Sequence, residues 1–274
     1  MNHPGPLTGL PRTLLFTLRA RAEEHGRARP ILSDSLAHDW YGRIPQTDEL
    51  QRVMANAYSP VFQLGTAVRA WLYDGIVRKF IEKHANPVVV ELGAGLSTRF
   101  HRLRALAARW VDLDLPEAIA FRRQFDAETA QHTFLPYSML DAGWLAQIPA
   151  ADPADVLFLA AGVLFFRGED EVARLMGMVN GRFPGAAFAF DVLTNNFNPR
   201  ARAIFAASDA PMQWFVPADM DFSTLGLATE SRQVVTHHFT ARWQSLGFHP
   251  NKLRQNQGNI LIASQFSDTN ANLS

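Results

Sequence analysis

The stretch Pro87–Phe100 reads PVVVELGAGLSTRF: an apolar run ends in an acid, Glu91, and then in two glycines, Gly93 and Gly95. A strand running into such a turn and on into a helix aims the helix's first N–H groups outward, and the glycines let a ligand approach the backbone. By itself the pair also fits a plain strand-to-helix turn. A second acidic pair, Asp112 and Asp114 in VDLDLP, follows about 20 residues later, where an acid can accept both hydroxyls of a ribose. Either acid could instead cap the helix that begins at Pro116. Three groups have the chemistry of a general base: His237 and His238 in VVTHHFTARW, and Asp191 at the end of an apolar run. Adjacent residues on a helix point about 100° apart, so only one of the histidines could face a pocket. A surface pair or a core pair fits them equally well.

Which nucleotide suits the glycines is decided by their neighbours. A dinucleotide fingerprint asks for a third glycine where this chain has Thr98, which argues against a pyrophosphate. Glu91 would repel a pyrophosphate and attract an ammonium or sulfonium. A nucleoside with an intact ribose and a cationic tail satisfies both signals. S-adenosylmethionine is such a ligand, and S-adenosylhomocysteine is what remains after its methyl leaves. Two rival readings use the same turn: a binding scaffold for S-adenosylmethionine without transferase activity, and an NAD(P)-dependent reductase.

The elements that must position these residues alternate. Residues 12–83 carry helical periodicity, with Leu14, Leu15, Leu18 and Ala22 on one face and Val68, Leu72, Ile76 and Phe80 on another. From residue 87 short apolar strands alternate with helical segments: Val88–Leu92, Trp110–Leu115, Thr133–Tyr137, Val156–Ala161 and Ala186–Asp191. That pattern predicts an α/β fold, a doubly wound, mostly parallel sheet covered by helices on both faces. FHPNKLRQ and NILIASQF, separated by NQG, predict a closing antiparallel hairpin. The expected organisation is a helical cap over 1–86, a core over 87–266 with a substrate lid over 193–235, and a tail over 267–274. Met212, Trp214, Phe215 and Phe222 make that lid suitable for a flat apolar acceptor.

Composition narrows the class. The 274 residues are 47% hydrophobic, enough for a sizeable core, and 26 acids balance 26 Lys and Arg. With no basic stripe, nucleic acid is not an expected partner. No cysteine is present, so disulfide and thiol chemistry are excluded, which fits a reducing cytoplasm. The N-terminal residues lack a secretion signal's pattern, and no apolar run reaches the roughly 20 residues of a membrane helix. A soluble, cytoplasmic enzyme acting on a small molecule is expected, its oligomeric state left open.

The motifs together resemble the leucine carboxyl methyltransferase superfamily, in its branch of TcmP-like polyketide O-methyltransferases within the class I S-adenosylmethionine-dependent enzymes. RAWLYD (Arg69–Asp74) is similar to a family Arg-x(4)-Asp, ELGAGLSTRFHRL to the glycine motif, and VDLDLPEAI to the motif after strand two. SMLDAGWL and FLAAGVLFF match the adenine-side and strand-four segments. The resemblance implies a seven-stranded Rossmann-like methyltransferase sheet. It implies that Arg69 pairs with the cofactor carboxylate, that Gly93 and Gly95 line its methionine portion, and that Asp114, with Asp112 as second choice, takes the ribose. Ser138, Met139 and Asp141 would border the adenine. Arg69 as a snorkelling surface residue and Asp141 as an N-cap are the ordinary structural alternatives. The family often places a glutamate where this chain has Ala161, and Glu91 could then meet the ammonium instead. The implied reaction is O-methylation of a small aromatic or apolar carboxylate or phenol by in-line displacement, with no metal required. A carboxylate arrives ionised; a phenol of pKa about 10 would profit from a base.

Overall fold

Short runs of Val, Leu and Phe, buried on both faces, are what a parallel sheet sandwiched between helices requires. The computed structural model describes residues 13–206 and 211–267 and bears this out. Four helices come first: α1 (Thr13–His25), α2 (Ser35–Arg43), α3 (Asp48–Ala57) and α4 (Pro60–Lys83). Asp34, Thr47 and Ser59 cap the last three by accepting from the N–H groups of Ala37, Leu50 and Phe62. The alternating region follows as β1 (Val88–Leu92), α5 (Arg99–Leu103), β2 (Arg109–Asp114), α6 (Pro116–Arg122), β3 (His132–Pro136), β4 (Val156–Ala160), α7 (Glu169–Arg182) and β5 (Ala187–Thr194). After it come α8 (Pro199–Ala206), β6 (Phe215–Val216), β7 (Leu227–Val234), α9 (Thr240–Ser245), α10 (Pro250–Gln255) and β8 (Asn259–Phe266).

The strands lie in the order β3-β2-β1-β4-β5-β8-β7, with β6 alongside the end of β5. β1 to β5 pair in parallel, and β8 runs antiparallel to both β5 and β7. The chain winds outward from β1 to β3, then crosses back to β4, so the direction of winding reverses between β1 and β4. Open α/β sheets bind their ligands in the crevice beyond that point. Alternate β1 residues feed two cores. Val88, Val90 and Leu92 pack with Trp144, Met176 and Phe188, while Val89 packs with Val68, Leu72 and Val77 of α4. A third core joins α1 and α2 to Phe121 of α6 through Leu15, Leu18 and Trp40, which lays the N-terminal helices beside the crevice.

The closing antiparallel pair exists, but its partners differ from the expected ones. FHPNKLRQ forms α10, with His249 as N-cap and Pro250 in the first turn, and β8 pairs instead with β7. Part of the expected lid is therefore a strand of the sheet. Trp214 and Phe222, expected on the lid's inner face, are 3% and 0% exposed and pack on Phe190 in the core. The expected regions 1–12, 207–210 and 268–274 lie outside the described residues. No helix among the described residues is long and apolar enough to cross a membrane.

Candidate functional site

A cavity of about 400 Å³ opens beyond the carboxyl ends of β1, β2 and β4, roofed by α1 and α4. The glycine turn forms its floor. Gly93 and Gly95 adopt φ of 63° and 51°, a region that costs any other L-residue strain. A Cβ on Gly93 would lie 2.8 Å from Val163, and one on Gly95 only 2.2 Å from Leu14. Thr98, where a dinucleotide site wants its third glycine, is fully buried and donates to Asp34 at 2.6 Å, tying the turn to the cap of α2.

The two aspartates of β2 diverge by one pleat. Asp114, at the strand's end, reaches the cavity; its oxygens accept from Gly95 N at 2.7 Å and Leu115 N at 2.8 Å. Burial outweighs those N–H groups and raises its pKa. Asp112 sits inside the strand under α6 and β3, and is a structural anchor away from the cavity wall. It meets Arg122 at 2.8 Å, His132 at 2.7 Å and Trp110 at 3.0 Å. Burial alone would raise its pKa; Arg122 and His132 more than offset it and hold it low. Arg122 also donates to Gly95 O at 3.0 Å, which braces the glycine turn from below.

Arg69 lines the opposite wall, held by Asp191 at 3.2 Å. Asp191 is fully buried and saturated. Gly162 N donates to it at 2.6 Å, Asn259 Nδ2 at 3.2 Å, and the Tyr73 hydroxyl lies 3.0 Å away. It does not reach the cavity wall where a base was expected, and instead anchors Arg69 and the loop after β4. Glu91 does line the cavity, but its oxygens are engaged by Arg99 and by Ser97 at 3.0 Å. Behind them runs a buried charge network: Asp74 holds Arg99 and Arg102, and Asp34 holds Arg102 and Arg21. Burial is the largest influence on Arg21 and pulls its pKa down to about 10 despite Asp34.

His237 and His238 do not come to the cavity. His237 ends a short turn, and His238 sits 5.8 Å from Trp71, ring to ring, on a face of α4 turned away from Thr66, Arg69 and Tyr73. On the adenine side Met139 lines the cavity, its carbonyl accepting from Trp144 Nε1 at 3.2 Å. Ser138 and Asp141 do not: Asp141 is an exposed cap accepting from Gly143 N at 2.9 Å. Ala161 lies on the wall, beside Gly162 and Val163. Arg21, Tyr73, Arg99, Leu115, Tyr137, Phe166, Arg167 and Gln213 also line the cavity, none of them singled out by sequence. Arg21 and Tyr73 sit at helical spacing near Leu18 and Arg69, a signal available but unused. Arg99, Leu115 and Phe166 lie inside quoted motifs, while Tyr137, Arg167 and Gln213 carry no local pattern.

His101, Asp126 and His132 also cluster, with potential ligand atoms within 4.8 Å of one another. Arg122 donates to Asp126 at 2.9 Å, so a guanidinium already supplies the cluster's positive charge. The group is a clip between α5, α6 and β3.

The fold and this crevice define a class. The structure superposes on a Thermobifida fusca protein described as a methyltransferase with TM-score 0.60 at 14% identity, over 95% of this chain and 99% of that one. It also matches an S-adenosylmethionine-dependent methyltransferase from Mesorhizobium loti with TM-score 0.52 at 14% identity, over 72% and 97%. These likenesses show a Rossmann-like methyltransferase fold. A family model for leucine carboxyl methyltransferase matches residues 15–180, and the chain belongs to that family of S-adenosylmethionine-dependent methyltransferases. Its relatives include the tetracenomycin polyketide synthesis O-methyltransferase TcmP of Streptomyces glaucescens, 29% identical over 188 residues, 68% of this chain and 67% of that one. Another is the S-adenosyl-L-methionine-dependent methyltransferase dpfgK of Gibberella zeae, 26% identical over 257 residues, 85% of each.

Proposed function

We propose that the chain O-methylates a small aromatic or apolar carboxylate of polyketide type. One observation carries the reading: the glycine cradle, the Asp114 carboxylate and the Arg69 guanidinium converge on one cavity at the switch point of the sheet. The positive φ of Gly93 and Gly95 and the close packing of Val163 and Leu14 exclude a side chain at either position, so the turn's backbone borders the cavity, which supports a cradle for S-adenosylmethionine. Asp114 would accept from the ribose hydroxyls, Arg69 would pair with the carboxylate of the methionine portion, and Met139 with Tyr137 and Leu115 would flank the adenine. When bound, S-adenosylmethionine supplies an electrophilic methyl on a sulfonium; as an acceptor oxygen bonds to that carbon, the C–S pair returns to sulfur.

The chain's own work is alignment and exclusion of water. α1 and α4 close over the turn, and Val163 packs against Gly93 beneath them. Carboxylate is favoured over phenol because no histidine lines the cavity among the described residues, and its two acids are engaged within the fold. An ionised carboxylate needs no base: its charge and that of the sulfonium cancel. TcmP, named for polyketide O-methylation, supports the substrate class. The test is calorimetric titration with S-adenosylhomocysteine, followed by transfer of labelled methyl to aromatic carboxylates and phenols. Binding with transfer to carboxylates is expected. No S-adenosylhomocysteine binding, or transfer to phenols alone, rejects it.

A further inference from the structure

Five arginines reach the cavity wall: Arg21, Arg69, Arg99, Arg102 and Arg167. Four spend their guanidinium within the fold, on Asp34, on Asp191, on Asp74 with Glu91, and on Asp34 with Asp74, respectively. Arg167 has no such partner among the described residues, and its Nε is shut off from solvent with nothing to donate to. A guanidinium left unpaired and partly desolvated is costly, and an anionic ligand removes that cost.

Its placement is built, not incidental. Arg167 N donates to Leu164 O at 2.9 Å, closing a tight turn over Leu164–Phe166. Gln213 N donates to Phe165 O at 2.7 Å and Gln213 Nε2 to Phe166 O at 3.0 Å, which ties the turn to the segment before β6. The same loop begins at Gly162, against Arg69, and Val163, against Gly93. It therefore runs along the cavity wall from Gly162, beside Arg69, to Phe166 and Arg167, which on the reading above places Arg167 beyond the methionine end, where an acceptor would meet the methyl.

We propose that Arg167 is the acceptor's anion receptor and restricts the enzyme to carboxylate acceptors, with Phe166 and Pro211 beside the acceptor's apolar body. This rests on the methyl-transfer reading above. Arg167 holds one carboxylate oxygen; the other's lone pair forms the bond to the methyl carbon while the C–S bond breaks toward sulfur, and no proton moves. The ester product carries no charge, so the ion pair that held the substrate is lost on methylation and the product leaves more readily. A neutral amide of the same shape would bind as poorly as the ester.

The experiment uses the full chain saturated with S-adenosylhomocysteine and titrates 2-naphthoate, 2-naphthamide and methyl 2-naphthoate by calorimetry. The wild type is expected to prefer naphthoate by about tenfold or more, as a charge-assisted pair implies. Arg167→Gln should erase that preference while leaving S-adenosylhomocysteine affinity within about twofold, and Arg167→Lys should restore part of it, a point charge without the planar fork. No preference in the wild type, including failure of all three probes to bind, overturns the proposal. So does an undiminished preference in Arg167→Gln, or a loss of S-adenosylhomocysteine binding there, which would assign Arg167 to the cofactor. Wild-type protein that does not bind S-adenosylhomocysteine overturns the underlying reading as well, and is thereby told apart from failure of the acceptor proposal alone.

Discussion

Asp112 and Asp114 share a strand and a face, yet one pleat separates a buried anchor from a carboxylate at the cavity. Asp114→Asn is expected to weaken S-adenosylhomocysteine binding about tenfold or more while barely moving the unfolding midpoint. Asp112→Asn should do the reverse: a loss of about 1–3 kcal/mol in urea unfolding, because His132 and Arg122 lose a buried charged acceptor, with affinity nearly unchanged. Equal effects of both variants on affinity would refute the division. The raised pKa of Asp114 adds a pH signature. If Asp114 holds the ribose as proposed, its ionised carboxylate is the stronger acceptor, so affinity should fall on the acid side at a higher pH than an ordinary aspartate, near 3.9, would allow. Calorimetry between pH 4 and 8 measures this. Gly95→Ala should also weaken binding, since its φ of 51° and the 2.2 Å approach to Leu14 both oppose a Cβ. Adding Leu14→Ala should relieve the contact but not the roughly 1–2 kcal/mol of backbone strain.

At the scale of elements, α4 is the organiser. Arg69 and Tyr73, one turn apart, converge on Asp191 of β5, while Asp74 grips Arg99 and Arg102 of α5. A single helix thus sets both the guanidinium at the cavity wall and the charge network behind the glycine turn. Asp191→Asn keeps the shape but removes the charge that orients Arg69. Steady-state kinetics should show KM for S-adenosylmethionine rising several-fold with a smaller change in kcat. A collapse of kcat at constant KM would return Asp191 to the role of base. His237→Ala and His238→Ala, both off the cavity, should leave kcat within about twofold; a deep loss in either would mean the histidine reaches the site.

For the whole molecule, buried ion pairs make stability depend on acid. Burial tends to raise the pKa of Asp34, Asp112 and Asp126, yet their partners win and hold all three below the ordinary value: Arg102 and Arg21 at Asp34, Arg122 and His132 at Asp112, His101 and Arg122 at Asp126. A carboxylate depressed in the folded state stabilises it above the unfolded pKa and loses that contribution as pH falls through the folded pKa. The urea midpoint should therefore be nearly flat from pH 7 to 5 as far as these groups are concerned and drop below about pH 4. A midpoint that rises on acidification would contradict the assignment.

What the sequence by itself determined was local and periodic: the strands of the parallel sheet, the turn at Gly93 and Gly95, the acid closing β2, and the family motif holding Arg69. Each of these is specified by near neighbours, through alternation, turn chemistry or motif spacing. FHPNKLRQ shows the limit, since its apolar pattern suited a strand while His249 and Pro250 could equally start a helix, and the competition for β8 was won by β7, more than twenty residues before the end of α10. Only the tertiary structure decided which of two aspartates faces the cavity, that Asp191 is saturated by donors from three separate elements, that His238 lies against Trp71, and that Arg167, among the described residues, is the wall arginine without a carboxylate partner. Those are questions of burial and pairing between residues far apart in the chain, and no window of sequence contains both members of such a pair.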